Sequence, residues 1–278
     1  MSGKWYQSVV PEDEGPGPEI DTSVAHIARV YDYWLGGKDN FAADREAADK
    51  AIEIFPGLPA SARANRAFLG RAVRYLAREA GIRQFLDIGT GIPTSGNTHE
   101  IAQAAEPSSR VVYVDNDPIV LAHARALLTS TPQGTCAYID ADLRDPATIL
   151  ERAGQVIDFS QPVAIMLVAV LHMIPDDDRP WEIVSELKAS VPSGSYLTVS
   201  HVARDMPGIP MQSMTEGNKR YNDNAAEPVL MRTRDQVSAF FDGLELVEPG
   251  LVSVPHWRSE VDPLPSPAPL WCGVARKP

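Results

Sequence analysis

The chain has 278 residues, 44% of them hydrophobic, and a formal net charge of −12. That is enough chain for one large domain or a domain with a sizeable extension. The acidic balance argues against a nucleic-acid backbone or an anionic membrane surface as partner.

Only two cysteines occur, Cys136 and Cys272, far apart and each within an apolar run. They read as buried thiols of a reducing compartment, not as a disulfide framework or a zinc site. No apolar stretch approaches the roughly 18 residues of a membrane span. The first residues lack the charged-then-apolar pattern of a signal peptide. A cytoplasmic protein is expected.

Residues 1–20 include Pro11-Glu12-Asp13-Glu14-Gly15-Pro16-Gly17-Pro18, an acidic, turn-rich string that reads as a flexible leader. Asp21-Thr22-Ser23 then offers helix caps ahead of Val24, Ile27, Val30, Tyr31 and Trp34, a helically spaced apolar stripe that Gly36-Gly37 stops. A second helix is expected over 41–54. A third runs over about 60–80, with Phe68, Leu69, Ala72, Val73 and Leu76 on one face and Gly81 as terminator. Residues 21–82 are therefore expected to form an all-helical N-terminal cap.

From Gln84 the pattern alternates between strands and helices. Strands are expected at 84–88, 111–115, 135–140, 163–170, 195–201, 244–253 and 270–276. Helices fit 97–105, 118–128, 145–153, 179–190 and 232–242. Asn97 with Glu100 three residues on has the form of a capping box, and Asp117-Pro118 that of an N-cap followed by proline at the first helical position. Continuous apolar runs such as 163–171 imply strands buried on both faces, hence a mostly parallel sheet covered by helices. A short proline-rich stretch, not a crossover helix, joins the last two strands, which predicts an antiparallel pair at the edge. The predicted fold class is α/β, a doubly wound seven-stranded sheet over residues 83–278. Residues 204–231 are too long for a simple connection and follow the carboxyl end of a strand, where ligands sit. They read as a substrate-covering lid or, equally, as a disordered insertion.

Chemistry concentrates in Phe85-Leu86-Asp87-Ile88-Gly89-Thr90-Gly91, answered by Val111-Val112-Tyr113-Val114-Asp115. In open α/β sheets such a strand–turn brings backbone close to a nucleotide-like ligand, and the acid ending the next strand takes the ribose hydroxyls. A dinucleotide site wants a third glycine three residues after the second. Here Gly91 is followed by Ile92, Pro93 and Thr94, and Pro93 removes an N–H that a phosphate would use. Asp87 would repel a diphosphate but suits a cationic ligand end, such as the ammonium and sulfonium of S-adenosylmethionine. The alternative is an ordinary strand–helix turn whose acids cap helices.

The string Tyr31-Asp32-Tyr33-Trp34-Leu35-Gly36-Gly37-Lys38-Asp39-Asn40-Phe41 is far more specific than the glycine turn. With Asn65-Arg66-Ala67-Phe68, Asp140-Ala141-Asp142-Leu143-Arg144-Asp145-Pro146 and Val168-Ala169-Val170-Leu171-His172, it resembles a family of S-adenosylmethionine-dependent methyltransferases long catalogued as a domain of unknown function. The resemblance covers nearly the whole chain after residue 20. It implies the class I methyltransferase sheet and the cofactor, and leaves the methyl acceptor open.

Roles follow for particular residues. Asp115 is the expected ribose acceptor, because a carboxylate can accept from both vicinal hydroxyls. Asn116 would lie beside the adenine. Asp142 resembles the acid that accepts the adenine amine, with the Leu143 N–H serving the ring nitrogen, and Asp140 competes for that role. Asp87 would act near the methionine ammonium, and Gly89 and Gly91 would let backbone approach. Tyr33, Gly37, Lys38 and Asn40 are expected to form a loop folding over the cofactor, with Lys38 or Arg66 near its carboxylate. On spacing alone, Gly36-Gly37 could instead merely end a helix and leave Lys38 solvated. A phosphate loop is excluded, since the upstream glycine and the following Ser or Thr are missing.

Methyl transfer is an in-line displacement in which alignment supplies much of the rate. A base is needed only if the acceptor must lose a proton. His172, after the fourth strand, is the candidate, with His201 as the alternative; either could be a plain polar residue at a strand end. Asp176-Asp177-Asp178 reads as a helix start with favourable dipole charge, not as a metal cluster. His99-Glu100 falls short of a zinc-protease motif because Gln103 holds the second histidine position, so no metal is expected.

The reading is therefore a methyltransferase acting on a small molecule enclosed by the cap and residues 204–231. Two rivals stay open, a nicotinamide-dependent oxidoreductase and a non-catalytic protein that binds the cofactor.

Overall fold

The computed structural model describes residues 21–120, 130–223, 228–259 and 268–278. The leader, residues 121–128 of the helix expected at 118–128, residues 224–227 of the long connection and residues 260–267 of the proline-rich stretch lie outside the described residues.

Three helices come first: α1 (Ile27–Leu35), α2 (Ala42–Ile54) and α3 (Leu58–Arg78). α1 starts later than its candidate caps suggest, because Ser23 folds back on Asp21 through both its N–H and its hydroxyl. Gly36 ends it in the left-handed region at φ +86°, a conformation that favours glycine. Arg29 and Asp44, both buried, pair across α1 and α2 at 3.0 Å.

The sheet is built from β1 (Gln84–Ile88), β2 (Arg110–Asp115), β3 (Thr135–Asp140), β4 (Ala164–Val168), β5 (Tyr196–Val202), the short β6 (Glu245–Leu246) and β7 (Val252–Ser253), and β8 (Leu270–Arg276). Its order is β3-β2-β1-β4-β5-β8-β6, with β7 also on β8. β1 to β5 pair in parallel and β8 runs antiparallel to β5. The single edge strand expected over 244–253 is split. Val247 still donates to the Val274 carbonyl at 2.8 Å, but Pro249 has no N–H for the ladder and Gly250 turns the chain at φ +85°. Counted as one broken strand, β6 and β7 complete the seven-stranded, mostly parallel class I sheet.

Both sheet faces are dry, which explains the unbroken apolar runs. Leu86, Ile88, Val112 and Val114 point to one face, packed with Ile149 of α5 (Pro146–Ala153) and Val184 and Leu187 of α6 (Pro180–Ala189). Phe85, Val111 and Tyr113 point to the other, packed with Phe68, Val73 and Leu76 of α3 and Ala102 of α4 (Thr98–Ala105). The last helix of the expected cap thus also covers the sheet. Strand alternation puts Asp87 and Asp115 on the side of Phe85 and Tyr113, facing α3 and α4. Beyond β5, residues 211–222 form α7 (Met211–Asn222), followed by α8 (Arg234–Ser238).

Candidate active site

A cavity of about 970 Å³ opens at the carboxyl ends of β1, β2, β4 and β5, at the top of the roughly 300–1,000 Å³ range of small-ligand sites. The strand ends contribute Asp87, Gly89, Gly91, Asp115, Asn116, Asp142, Leu143 and His172, and α3 contributes Asn65 and Arg66. α7 closes the far wall with Met214, Gly217 and Tyr221. Topology alone brings these residues together, across more than 150 positions of sequence.

Two glycines shape the floor. Gly89 has φ +72°, and a Cβ there would sit 2.3 Å from a Val170 methyl. Gly91, at φ +62°, would place a Cβ within 4 Å of nothing, so its backbone lies bare to the cavity. Its N–H donates to Asp115 Oδ2 at 2.8 Å, and the Asp117 N–H donates to Oδ1 at 3.1 Å. Burial pushes the Asp115 carboxyl above its ordinary range, offset in part by those two bonds. Asp142 accepts from Arg144 Nη1 at 3.0 Å and from Asn116 Nδ2 at 3.3 Å. Asp140, its sequence competitor, is exposed and does not line the cavity.

The string after α1 behaves differently. Tyr33, Gly37, Lys38 and Asn40 do not line the cavity. The Tyr33 hydroxyl bonds Asp49 on the outer surface, and Lys38 is exposed. The organiser is Asp32, 3% exposed, whose carboxylate accepts from the Asp39 N–H and the Asn40 side chain, each at 3.0 Å. Gly37 is required because a Cβ there would lie 1.9 Å from that carboxylate. The loop closes on its own helix, so its residues shape the cap from behind the cavity wall formed by Tyr31, Trp34 and Leu35.

A family model described as S-adenosyl methyltransferase matches residues 13–278. The chain belongs to this methyltransferase family. It is similar to the crystal structure of a DUF574 family protein from Streptomyces avermitilis MA-4680, at 47% identity over 94% of this chain and 100% of that one, with a TM-score of 0.88. A candidate methyltransferase from Thermobifida fusca YX is 45% identical over 94% of this chain and 98% of that one, with a TM-score of 0.84. A S-adenosylmethionine-dependent methyltransferase from Anabaena variabilis shares the fold at 13% identity, 98% and 100% coverage and a TM-score of 0.52. No curated protein matches.

The methyltransferase's cofactor is S-adenosylmethionine, and the cavity residues fit it. Burial pushes the Asp87 carboxyl up to about 6, with the Thr98 hydroxyl donating to Oδ2 at 2.6 Å as partial compensation. A ligand ammonium would supply the missing counter-charge. Nearby, Arg66 donates one Nη to Asn97 Oδ1 at 2.8 Å, while its buried Nε has no partner. An acid and an unsatisfied guanidinium in one wall suit the two charges of an amino-acid end.

The two candidate bases part company. His201 is fully buried, away from the cavity lining. Arg232 Nη1 lies 2.8 Å from its Nε2, and an arginine can only donate, so Nε2 accepts and Nδ1 carries the proton toward the Val202 carbonyl. Both nitrogens are spent, which removes His201 as a base. His172 lines the cavity at 7% exposure with its Nδ1 unpartnered, and burial together with the Arg232 charge lowers it to about 4. It is therefore neutral at physiological pH, and the unpartnered Nδ1 is itself buried.

Arg232 is the main residue that sequence reasoning missed. It is 2% exposed and donates to the Leu171 and Ile174 carbonyls, both at 2.9 Å, bracketing the turn that carries His172. Asp176 answers its charge and Asp178 answers Arg144, so these acids serve arginines; α6 starts only at Pro180. Asn65, buried on α3, bonds Tyr31 and Ser200; it belongs to one of the strings that carry the family resemblance, which gave it no role of its own.

Proposed function

We propose that this methyltransferase transfers a methyl group to a small molecule held between the helical cap (residues 21–82) and residues 204–231, with α7 as the covering lid. The observation that carries this reading is a partly open cavity with two unlike halves. Acids and bare glycine backbone line one half, and apolar side chains around a free imidazole line the other.

S-adenosylmethionine, when bound, supplies a methyl group on a positively charged sulfur. Asp115 would accept from the ribose hydroxyls, its orientation fixed beforehand by the Gly91 and Asp117 amides. Asn116, Asp142 and the Leu143 amide would meet the adenine. Asp87 would hold the ammonium and Arg66 the carboxylate. The cap and α7 would shield the reacting groups from water, which strengthens these contacts and keeps the acceptor in line. His172 would take the acceptor's proton on its neutral imidazole. The free thiols Cys136 and Cys272 suit a cytoplasmic setting.

Calorimetric titration tests the cofactor half. S-adenosylmethionine and S-adenosylhomocysteine should bind at micromolar Kd with no binding of NADH; binding of NADH alone would overturn the reading. Failure of methyl transfer across a broad acceptor panel, with normal cofactor binding, would favour a non-catalytic binder.

A further inference from the structure

We infer that the acceptor is an uncharged, largely apolar ring compound with a phenol-like hydroxyl that hydrogen-bonds His172. This rests on the reading of His172 as the proton acceptor.

The cations around the cavity are already engaged, and its acids lie in the cofactor half, on α1 or on the solvent side of α7. Asp87, Asp115 and Asp142 belong to the cofactor half. Asp32 holds its own loop, and Glu216 on α7 is exposed and accepts from Gln212. Arg66 bonds Asn97, Arg144 bonds Asp142 and Asp178, and Arg220 is also engaged. The cavity that His172 lines also carries Phe55, Met173, Met214, Val229, Met231 and Leu270, and the 229–231 segment lies beside His172 through the Leu230 N–H on its carbonyl. An anionic acceptor there would lose its hydration without gaining an unengaged counter-ion, and a cationic one would have to reach Glu216, which is open to solvent. Methionine side chains are flexible and polarisable, and their thioethers make favourable contacts with aromatic ring edges.

The hydroxyl follows from what surrounds the imidazole. Arg232 lies behind His172, gripping the carbonyls on either side of it. His201, whose Nε2 also takes an Arg232 hydrogen bond, meets the His172 ring edge-on at 5.7 Å between centroids. The one acid in the group, Asp176, lies beyond Arg232 and is itself 60% exposed. A fixed buried cation with no acid on the near side opposes a second positive charge on His172. Such an imidazole takes a proton only from a donor whose anion is comparatively stable. A phenol or enol meets that condition; an aliphatic alcohol does not, and an alkylamine arrives already protonated.

The test uses the full-length protein saturated with S-adenosylhomocysteine and three naphthalene probes of equal ring size. They are 2-naphthol, 2-naphthoate and 2-naphthylmethylammonium, titrated by calorimetry. The neutral 2-naphthol should bind about tenfold or more tightly than either charged analogue, the equivalent of one good hydrogen bond plus an avoided desolvation. His172→Leu should remove about that tenfold while leaving S-adenosylhomocysteine affinity unchanged. Tighter binding of either charged probe, equal binding of all three, or no binding of any to the saturated protein overturns the inference. The wild-type series needs no variant, so a poorly folding H172L leaves it decisive. If the naphthol preference holds but H172L still methylates 2-naphthol at the wild-type rate, the acceptor class survives and the base assignment falls.

Discussion

The strand-end acids and the loop after α1 were the two strongest signals in the sequence, and the structure treats them in opposite ways. Asp87, Asp115 and Asp142 reach the cavity because each ends or follows a parallel strand, and parallel strands all finish at the same edge of the sheet. The Gly37–Asn40 stretch is more distinctive as a pattern, yet its Asp39 amide and Asn40 side chain turn inward on Asp32 and Lys38 is exposed to solvent. A string can therefore be specific because a fold needs it, and its polar residues can serve the loop instead of a ligand.

Four measurements separate the roles of the two regions. The largest effect is expected at Asp32. Asp32→Ala should strand the Asp39 N–H and the buried Asn40 amide and cost roughly 1–3 kcal/mol of stability, read as a fall of several degrees in Tm. A stable variant that has lost cofactor binding would move the loop into the site. Asp115→Ala also strands two donors, the Gly91 and Asp117 amides, but should be told apart by a loss of about a hundredfold or more in S-adenosylhomocysteine affinity. Near-normal affinity there would sink the assignment of the cofactor half.

The third measurement is a pH series. Burial raises Asp87 to about 6, so its contribution to stability is present below its unfolded value of about 4 and lost as pH rises through 6. Binding of a ligand ammonium runs the other way, because only the ionised carboxylate attracts it. S-adenosylmethionine affinity should fall by up to about tenfold per pH unit below 6, and Asp87→Asn should abolish that slope. His172, lowered to about 4, contributes stability present above about 6.5 and lost as pH falls through 4. Its sign is opposite, so stability is best read as the difference between wild type and D87N. The smallest effect is expected at Lys38: Lys38→Ala should change cofactor affinity by no more than about twofold, as for an exposed side chain with little to lose. A tenfold loss would restore it to the cofactor.

Legibility followed the physical reach of each signal. Strands buried on both faces announce themselves as apolar runs, and the Gly-x-Gly turn announces a close backbone approach, so the sheet and Asp87, Gly91 and Asp115 could be read directly. The break in the edge strand was visible only as Pro249. The Asp176-Asp177-Asp178 run looked like a helix start because its arginine partners lie 34 and 56 residues away. His172 and His201 carried the same signal, a histidine near a strand end. What separates them is Arg232, which occupies one ring and leaves the other free.

By itself the sequence determined the class of sheet, the order of helices and strands, and the edge at which a nucleoside cofactor would sit. Those properties depend on periodicity and on local turn chemistry, which act over a few residues. Only the tertiary structure decided which polar groups face the cavity and which are spent on one another. Pairings such as Arg232 with the 171–174 turn depend on distances between segments far apart in the chain. No local pattern encodes them.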